Sequence, residues 1–557
     1  MPVTAPTPIA APVRVGTPAV RDLTEARPAT RPATSSAGKS ATIVGLAFVV
    51  SRLLGLVREI ILGYRFGTSS QYDAYVSAFR VPDLLFLVVM SGAFGSAFIP
   101  IFGGFLAKDE RERAWSLASA VITITAIVTV VLGTVLFLLA GPIMRYVVAP
   151  DLPADVQPLA ARTMRILLLS PVLLGMGIAA KGILEAQDRF TLPALAPVLY
   201  NAAIIAAAIV LAPRYGIEGV AYGVVIGAAL HVATQIPGLV RSGMRFKPTL
   251  SRRVEGLREV GVLLLPRVIG LAAFQLNFVA VTHLASGTGE GRVSALNYAW
   301  QMMMLPHGVI ALSISTVIFP SMARLYQAGA MDEVRKTFTR ALEPLLFLTI
   351  PASVGLFELR TAIPQTIFQL GAFNAQSTAL VSPALGVLAL GLVWYALVEV
   401  LARIYYAMQD TRTPVIAGVI IIFVNIALGY ALVGPLGQTG LAIGLTASTG
   451  IEALILFALL RKRIGGLDAS FGSWIARVCL AAAAMALVCE LIRPKLEAAT
   501  ASTSIPKLEH VVVLGYAMAL IGATYFLAAH FLRLPEMGQA SALVRRRIPA
   551  RLARYLS

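Results

Sequence analysis

The chain has 557 residues, of which 57% are hydrophobic and only 13% charged, and its mean hydropathy is +0.80. Soluble domains carry roughly 25% charged residues, so the composition excludes a soluble globular protein. The formal net charge of +18 would suggest nucleic acid in a soluble chain. Here the basic residues gather in loops between apolar runs, and no nucleic-acid partner is expected.

Residues 1–40 are rich in Pro, Ala, Thr and Ser with scattered arginines, which reads as a disordered cytoplasmic tail without a signal peptide. Apolar runs of about 20 residues then recur along nearly the whole length. Helices are the default, because lipid offers no partner to unpaired backbone groups. The short alternating strands of a β-barrel are missing from the pattern. Fourteen spans are expected near 41–62, 80–105, 116–140, 160–186, 193–213, 217–240, 258–284, 295–325, 338–359, 379–408, 413–434, 439–460, 472–493 and 508–532. The second, eighth and tenth are long or polar enough to be tilted or broken. Cys479 and Cys489 share one span. Ten residues of helix separate them by about 15 Å, too far for a disulfide, so both read as packing or lipid-facing residues.

The loops set an orientation. One side holds Lys108, Arg111, Arg113, Arg189, the Arg241–Arg253 cluster, Arg335, Lys336, Arg412, Arg461, Lys462, Arg463 and the tail bases Arg545, Arg546 and Arg547. The other side is sparse, with Arg65, Arg145, Arg214, Arg292 and Arg360 nearly alone before Arg493 and Lys495. The basic side is the cytoplasmic one by the positive-inside rule, and both termini are expected there.

The chain also repeats itself. S-A-F-I-P ending at Pro100 is similar to T-V-I-F-P ending at Pro320, and L-A-G-P at Pro142 to T-A-I-P at Pro364. A-Q-D-R-F-T-L-P around Asp188 is similar to M-Q-D-T-R-T-P around Asp410, and Asn201 follows the one as Asn425 follows the other. The four pairs come in the same order at a nearly constant spacing, which argues for a duplicated six-helix unit. Six is even, so the copies enter the membrane from the same side, as in parallel-repeat transporters. The expected architecture is all-α and polytopic. It comprises an N-lobe over 41–245, a C-lobe over 255–465, two further helices over 472–535 and a basic cytoplasmic tail over 536–557.

The first span contains two arginines, Arg52 and Arg58. An arginine at the centre of a membrane helix costs about 2.5–3.5 kcal/mol on insertion scales, so an anionic ligand in a polar cavity is expected. Arg58 lies about 120° around the helix from Arg52 and roughly 9 Å along it. Arg267 opens the corresponding helix of the second lobe, followed by Gln275 and Asn277. Two facing helices of this kind would form a cationic cavity between lobes, and guanidinium suits phosphate bidentately. Arg80 extends that cavity or sits at its rim. Glu399 and Arg403, spaced i,i+4, read as a mutually neutralising pair, and Asn201 and Asn425 as helix-packing hydrogen bonds. His231, His283, His307 and Glu452 are candidate protonation sites for ion coupling. The Gly-rich S-G-A-F-G-S-A-F at 91–98 permits a bend or close helix contact and lacks the lysine of a phosphate loop. No catalytic constellation stands out, so no enzyme and no cofactor are expected.

These segments resemble the MurJ/MviN family of bacterial lipid II flippases. The resemblance rests on S-R-L-L-G-L-V-R-E, F-G-T-S-S-Q-Y-D-A-Y, R-V-P-D-L-L, G-A-F-G-S-A-F-I-P, N-Y-A-W-Q-M-M-M-L-P and Y-Y-A-M-Q-D-T-R-T-P. It covers residues 41–465 well and the last two spans loosely. It implies the fold of the multidrug/oligosaccharidyl-lipid/polysaccharide exporter superfamily. The implied substrate is an undecaprenyl diphosphate-linked disaccharide-peptide, turned from the inner to the outer leaflet for peptidoglycan synthesis. Arg52, Arg58, Asp73 and Arg80 match charged positions of the family. Phe86 and Leu87 stand where many members have a basic pair, and Gln301 where many have arginine, with Met304 at a position some fill with an acid.

The leading expectation is therefore alternating access at the cytoplasmic membrane. The head group would lie among Arg52, Arg58, Arg267, Arg80, Asp73 and Gln301. Membrane potential or an ion gradient would drive the cycle, and membrane lipids and cell-wall synthesis proteins would be partners. Alternatives are a flippase for another polyprenyl-linked glycan, an ion-coupled exporter of cationic drugs, a non-transporting cell-wall scaffold, and a membrane glycosyltransferase.

Overall fold

A computed structural model describes residues 35–87, 98–251, 253–467, 470–501 and 507–538, and their backbone is helical apart from short connections. The first half comprises α1 (Ser35–Phe66), α2 (Ser70–Phe86), α3 (Ile99–Ala107), α4 (Arg111–Leu138) and the single turn α5 (Ala140–Pro142). A π-helical turn at Ile143–Val148 leads to α6 (Gln157–Leu167), α7 (Ser170–Glu185), α8 (Thr191–Val210), α9 (Ala212–Ala233) and α10 (Ile236–Arg241). The second half comprises α11 (Leu257–Ser286), α12 (Arg292–Gln327), α13 (Met331–Glu358), α14 (Ala362–Phe368), α15 (Ala375–Ala407) and α16 (Arg412–Ile464). The chain continues in α17 (Ser470–Ala501) and α18 (Lys507–Phe531). Among the described residues, 10 helical stretches are long and apolar enough to cross a membrane. The protein is a multi-pass, all-helical membrane protein.

The elements depart from the expected spans in instructive places. α1 begins at Ser35, within the stretch read as tail. The second span runs through residues 88–97, and that part, with most of the Gly-rich segment, lies outside the described residues. The eighth and tenth spans are the continuous helices α12 and α15, even with Pro306, Pro320 and Pro383 inside them. It is the fourth span that divides, into α6 and α7. Pro171 sits in the first turn of α7, where its missing N–H leaves no intrahelical bond unmade.

Spans eleven and twelve are the two arms of α16, which has 53 residues and turns at Gly437, between the expected spans. A straight helix of that length would measure about 80 Å, far more than a hydrocarbon core of about 30 Å. Gly437 breaks it, with φ 56° and ψ −139°, a conformation essentially restricted to glycine. Gly216, at the matching place in the first half, has φ 57° and ψ −141° near the start of α9. The junctions before the preceding helices also agree. Asp188 before α8 has φ 59° and Gln409 before α16 has φ 60°. Both motifs thus contain a left-handed residue, which falls on the Asp of the first and on the Gln before the Asp of the second.

The two halves pack together through an aromatic layer. Tyr72 of α2 stacks on Tyr298 of α12 with ring centroids 5.2 Å apart. Phe368 and Phe373 each approach Tyr298 at 5.3 Å. Tyr72, Tyr298 and Phe373 are fully buried, with the Tyr72 hydroxyl donating to Glu59 and the Tyr298 hydroxyl to the Gly67 carbonyl. α17 and α18 pack on each other and on α13 and α14. Tyr525 donates to the Phe347 carbonyl at 2.8 Å, and Trp474 to Glu536 at 2.9 Å. Cys489 is buried and Cys479 exposed, both as free thiols.

Candidate functional site

A cavity of about 580 Å³ lies between α1, the end of α7, the start of α8, and α12. Its α1 wall runs from Val44 to Glu59, about 22 Å of helix. One end is flanked by Lys181, Glu185 and Phe190, next to the basic loop of Arg189; the other ends at Tyr298 and Phe368 of the aromatic layer. The volume falls in the usual range for ligand sites, about 300–1,000 Å³.

Arg52 and Arg58 both line this cavity, in different states. Arg58 holds Glu59 at 2.7 Å through Nη2 and 3.1 Å through Nε, and its Nη1 donates to Asn201 Oδ1 at 3.2 Å. Glu59 is 6% exposed and accepts a further bond from the Tyr72 hydroxyl at 3.2 Å. A buried carboxylate needs such partners, because desolvation costs several kcal/mol per ion. Arg52 is exposed to the cavity, its guanidinium 5.3 Å from the Phe48 ring centroid. Among the described residues it has no ion-pair or hydrogen-bond partner. One arginine is therefore built into the wall, and the other presents a free fork of donors.

Gln301 of α12 also lines the cavity. Arg80 and Asp73 lie elsewhere, at the junction of the halves. Arg80 Nε donates to Thr282 of α11 at 2.9 Å, and its guanidinium sits 5.3 Å from the Phe278 ring. Asp73 accepts the backbone N–H of Gly291 at 2.6 Å and of Ser294 at 2.7 Å. It thereby satisfies orphan donors at the start of α12. Thr68 and Ser377 hydroxyls meet nearby at 2.9 Å, and Ala372 N–H donates to Tyr64 O at 2.8 Å. Arg267 belongs to α11, and its side chain lies outside the described residues.

The remaining polar residues sort by their partners. Glu399 and Arg403 form an ion pair at 2.8 Å. Asn425 donates to Asn277 at 2.7 Å, tying α16 to α11. Asn201 bonds α8 to α1 in the matching place, while also lining the cavity. His283 bonds the Val147 carbonyl at 2.8 Å, and His231 lies 3.5 Å from Gln235. Lys181 and Glu185, paired at 3.7 Å, line the cavity although neither belongs to the site expected from sequence. A signal for them exists: a lysine inside an apolar span violates insertion energetics much as Arg52 does.

An all-helical membrane fold with a cavity between its two packed halves is the arrangement of a membrane transporter. Residues 62–505 match the family described as "Lipid II flippase MurJ", and the chain belongs to that family. The "Lipid II flippase MurJ" of Burkholderia cenocepacia is 32% identical over 423 residues, covering 74% of this chain and 82% of that protein. A "Probable lipid II flippase MurJ" of Rhizobium tropici is 28% identical, covering 91% and 96% respectively. Among solved structures, "Lipid II flippase MurJ, inward closed conformation" is similar with TM-score 0.74 and 25% identity, over 88% of this chain and 99% of that one. An inward-facing multidrug resistance MATE family transporter shares the fold with TM-score 0.64 at 17% identity, over 76% and 98%.

Proposed function

We propose that this protein moves an undecaprenyl diphosphate-linked peptidoglycan precursor, lipid II, from the inner to the outer leaflet of the cytoplasmic membrane. The observation that carries the reading is Arg52, a guanidinium facing the cavity without a partner among the described residues. A diphosphate entering the cavity supplies the acceptors that Arg52 lacks. Charge-assisted, bidentate contacts are the strong hydrogen bonds available to it.

Arg58 contributes positive charge from a fixed position, because Glu59 and Asn201 hold its fork. Gln301 adds a neutral donor from α12. Arg267, on α11, is the candidate cation of the second half. Asp73 and Arg80 act on closure: both tie α2 to the second half. The duplicated units form two lobes, and the cavity opens toward the basic, cytoplasmic loops while the aromatic layer seals the outer end. Rocking of the lobes breaks that seal and re-forms contact at the basic side, carrying the head group across while the polyprenyl chain stays in lipid.

The test is a leaflet-exchange assay with reconstituted protein and lipid II. Arg52→Ala removes contacts worth about 1.5–3 kcal/mol to a charged ligand, so transport falls about tenfold or more. Full transport by this variant overturns the assignment of the site.

A further inference from the structure

The cytoplasmic-loop ends of α13 and α16 carry a second basic constellation, outside the cavity. Arg335 of α13 has a buried Nε without a hydrogen-bond partner among the described residues. Its Cδ and Nη1 lie 3.7 Å from where a β-carbon on Gly465 would stand. Arg461 approaches the next residue from the other helix: Nε and Nη2 lie 3.7 and 3.9 Å from the β-carbon position of Gly466. Arg463 is held beside them by Asp410 at 2.6 Å and over the Tyr405 ring at 5.4 Å.

Helix electrostatics account for only part of this. Arg461 and Arg463 occupy the last turn of α16, the negative end of that helix dipole. Arg335 sits just inside the N-terminal end of α13, where the dipole disfavours a cation. Glu333 is engaged by Lys336 at 2.8 Å and Asp410 by Arg463, and Asp332 in the first turn of α13 makes no ion pair with Arg335. The duplication supplies an internal control. α4 starts at Arg111 and α13 at Met331, and in that register Val334 matches Ala114, both fully buried. Arg335 then matches Trp115, which packs edge-on against Phe102 at 5.5 Å. Where the first half closes its surface with an aromatic, the second half places a guanidinium with an unmet donor beside two residues that have no side chains.

We propose that Arg335 and Arg461, converging on the Gly465–Gly466 turn, bind a phosphate oxyanion, and that the phosphate belongs to an anionic phospholipid headgroup. The planar guanidinium forks match phosphate geometry. The paired glycines let both guanidinium groups lie close against the backbone of the turn. The site is at the end of a membrane-crossing helix, the depth at which headgroups lie, and basic pockets between helices are suited to them. The site stands apart from the transport cavity, so its test is independent of the transport reading.

The full chain is reconstituted in nanodiscs of phosphatidylcholine with increasing phosphatidylglycerol, and bound lipid is counted by native mass spectrometry after release. Wild-type protein retains phosphatidylglycerol over phosphatidylcholine. Arg335→Gln and Arg461→Gln each weaken that retention about tenfold, whereas Arg340→Gln, an exposed arginine of the same helix, leaves it unchanged. Arg335→Lys keeps the charge without the fork and carries the test if Arg335→Gln fails to fold; it also weakens retention. Unchanged retention in the Arg335 variants, or equal loss in Arg340→Gln, overturns the site. Competition by millimolar inorganic phosphate as effective as by the lipid overturns the headgroup as its source.

Discussion

The carboxylate of Asp73 accepts the backbone N–H of Ser294 at 2.7 Å, so a side chain of α2 caps α12 in the opposite half. The same carboxylate takes the Gly291 N–H, and Ser70 N–H reaches back to Glu290 at 3.1 Å. These bonds and the Tyr72–Tyr298 stack make one seam. Opening that side of the molecule means breaking the cap.

Asp73→Ala should loosen the seam by about 0.5–2 kcal/mol, the usual worth of an N-terminal cap. The readout is disulfide formation in a Thr68→Cys/Ser377→Cys pair, whose wild-type hydroxyls lie 2.9 Å apart. Replacing the exposed Cys479 by Ser removes the competing surface thiol. Cross-linking is fast with Asp73 present and slows in Asp73→Ala; equal rates would show that the cap does not hold the seam.

The two cavity arginines should separate by their effects on stability. Removing Arg58 leaves Glu59, 6% exposed, without its ion pair, so Arg58→Ala lowers stability by about 2 kcal/mol. Arg52 has no such partner, and Arg52→Ala leaves the melting temperature near wild type while reducing transport. The double variant Arg58→Ala/Glu59→Gln recovers most of the stability lost in Arg58→Ala but not the transport. Thermal unfolding in detergent alongside leaflet exchange reads both quantities.

The turn between α15 and α16 should be acid-sensitive. Burial pushes the Asp410 carboxyl up, but the hydroxyl and backbone N–H of Thr413 and the Arg463 guanidinium outweigh it. The net effect lowers Asp410 from 3.8 to about 2. A folded-state value below the unfolded one means that the unfolded chain binds the proton more readily. The stabilisation is complete above about pH 4 and is lost as pH falls toward 2. The melting-temperature difference between wild type and Asp410→Asn is therefore constant near neutrality and shrinks through that acid window. A difference that persists unchanged to the acid limit would place the stabilisation elsewhere.

Gly216 and Gly437 have the same non-helical backbone, one in each half. Either glycine replaced by alanine should cost about 1–3 kcal/mol, the strain of a conformation that L side chains avoid. Because these turns belong to different halves, the penalties should nearly add in the double variant. Thermal unfolding of the single and double variants gives the comparison, and a negligible cost at either position would exclude strain at that turn.

Much was legible in the residues themselves. Apolar length fixed the helical, membrane-crossing class, because lipid admits few other backbone arrangements. The spacing of four motif pairs argued for a duplication, and Gly216 and Gly437, outside those motifs, share one backbone conformation. Arg52 and Arg58 were conspicuous because insertion energetics makes intramembrane charge costly wherever it occurs. What only the tertiary structure decided was which partner each charge meets. Glu59 and Asn201 claim Arg58, Arg52 is left free, Lys181 and Glu185 reach the cavity wall, and Asp73 and Arg80 tie α2 to the other half. Those outcomes depend on contacts between residues far apart in the chain, such as Asp73 and Ser294. Helical periodicity reports the face a residue occupies, while the packing of distant helices sets what that face meets.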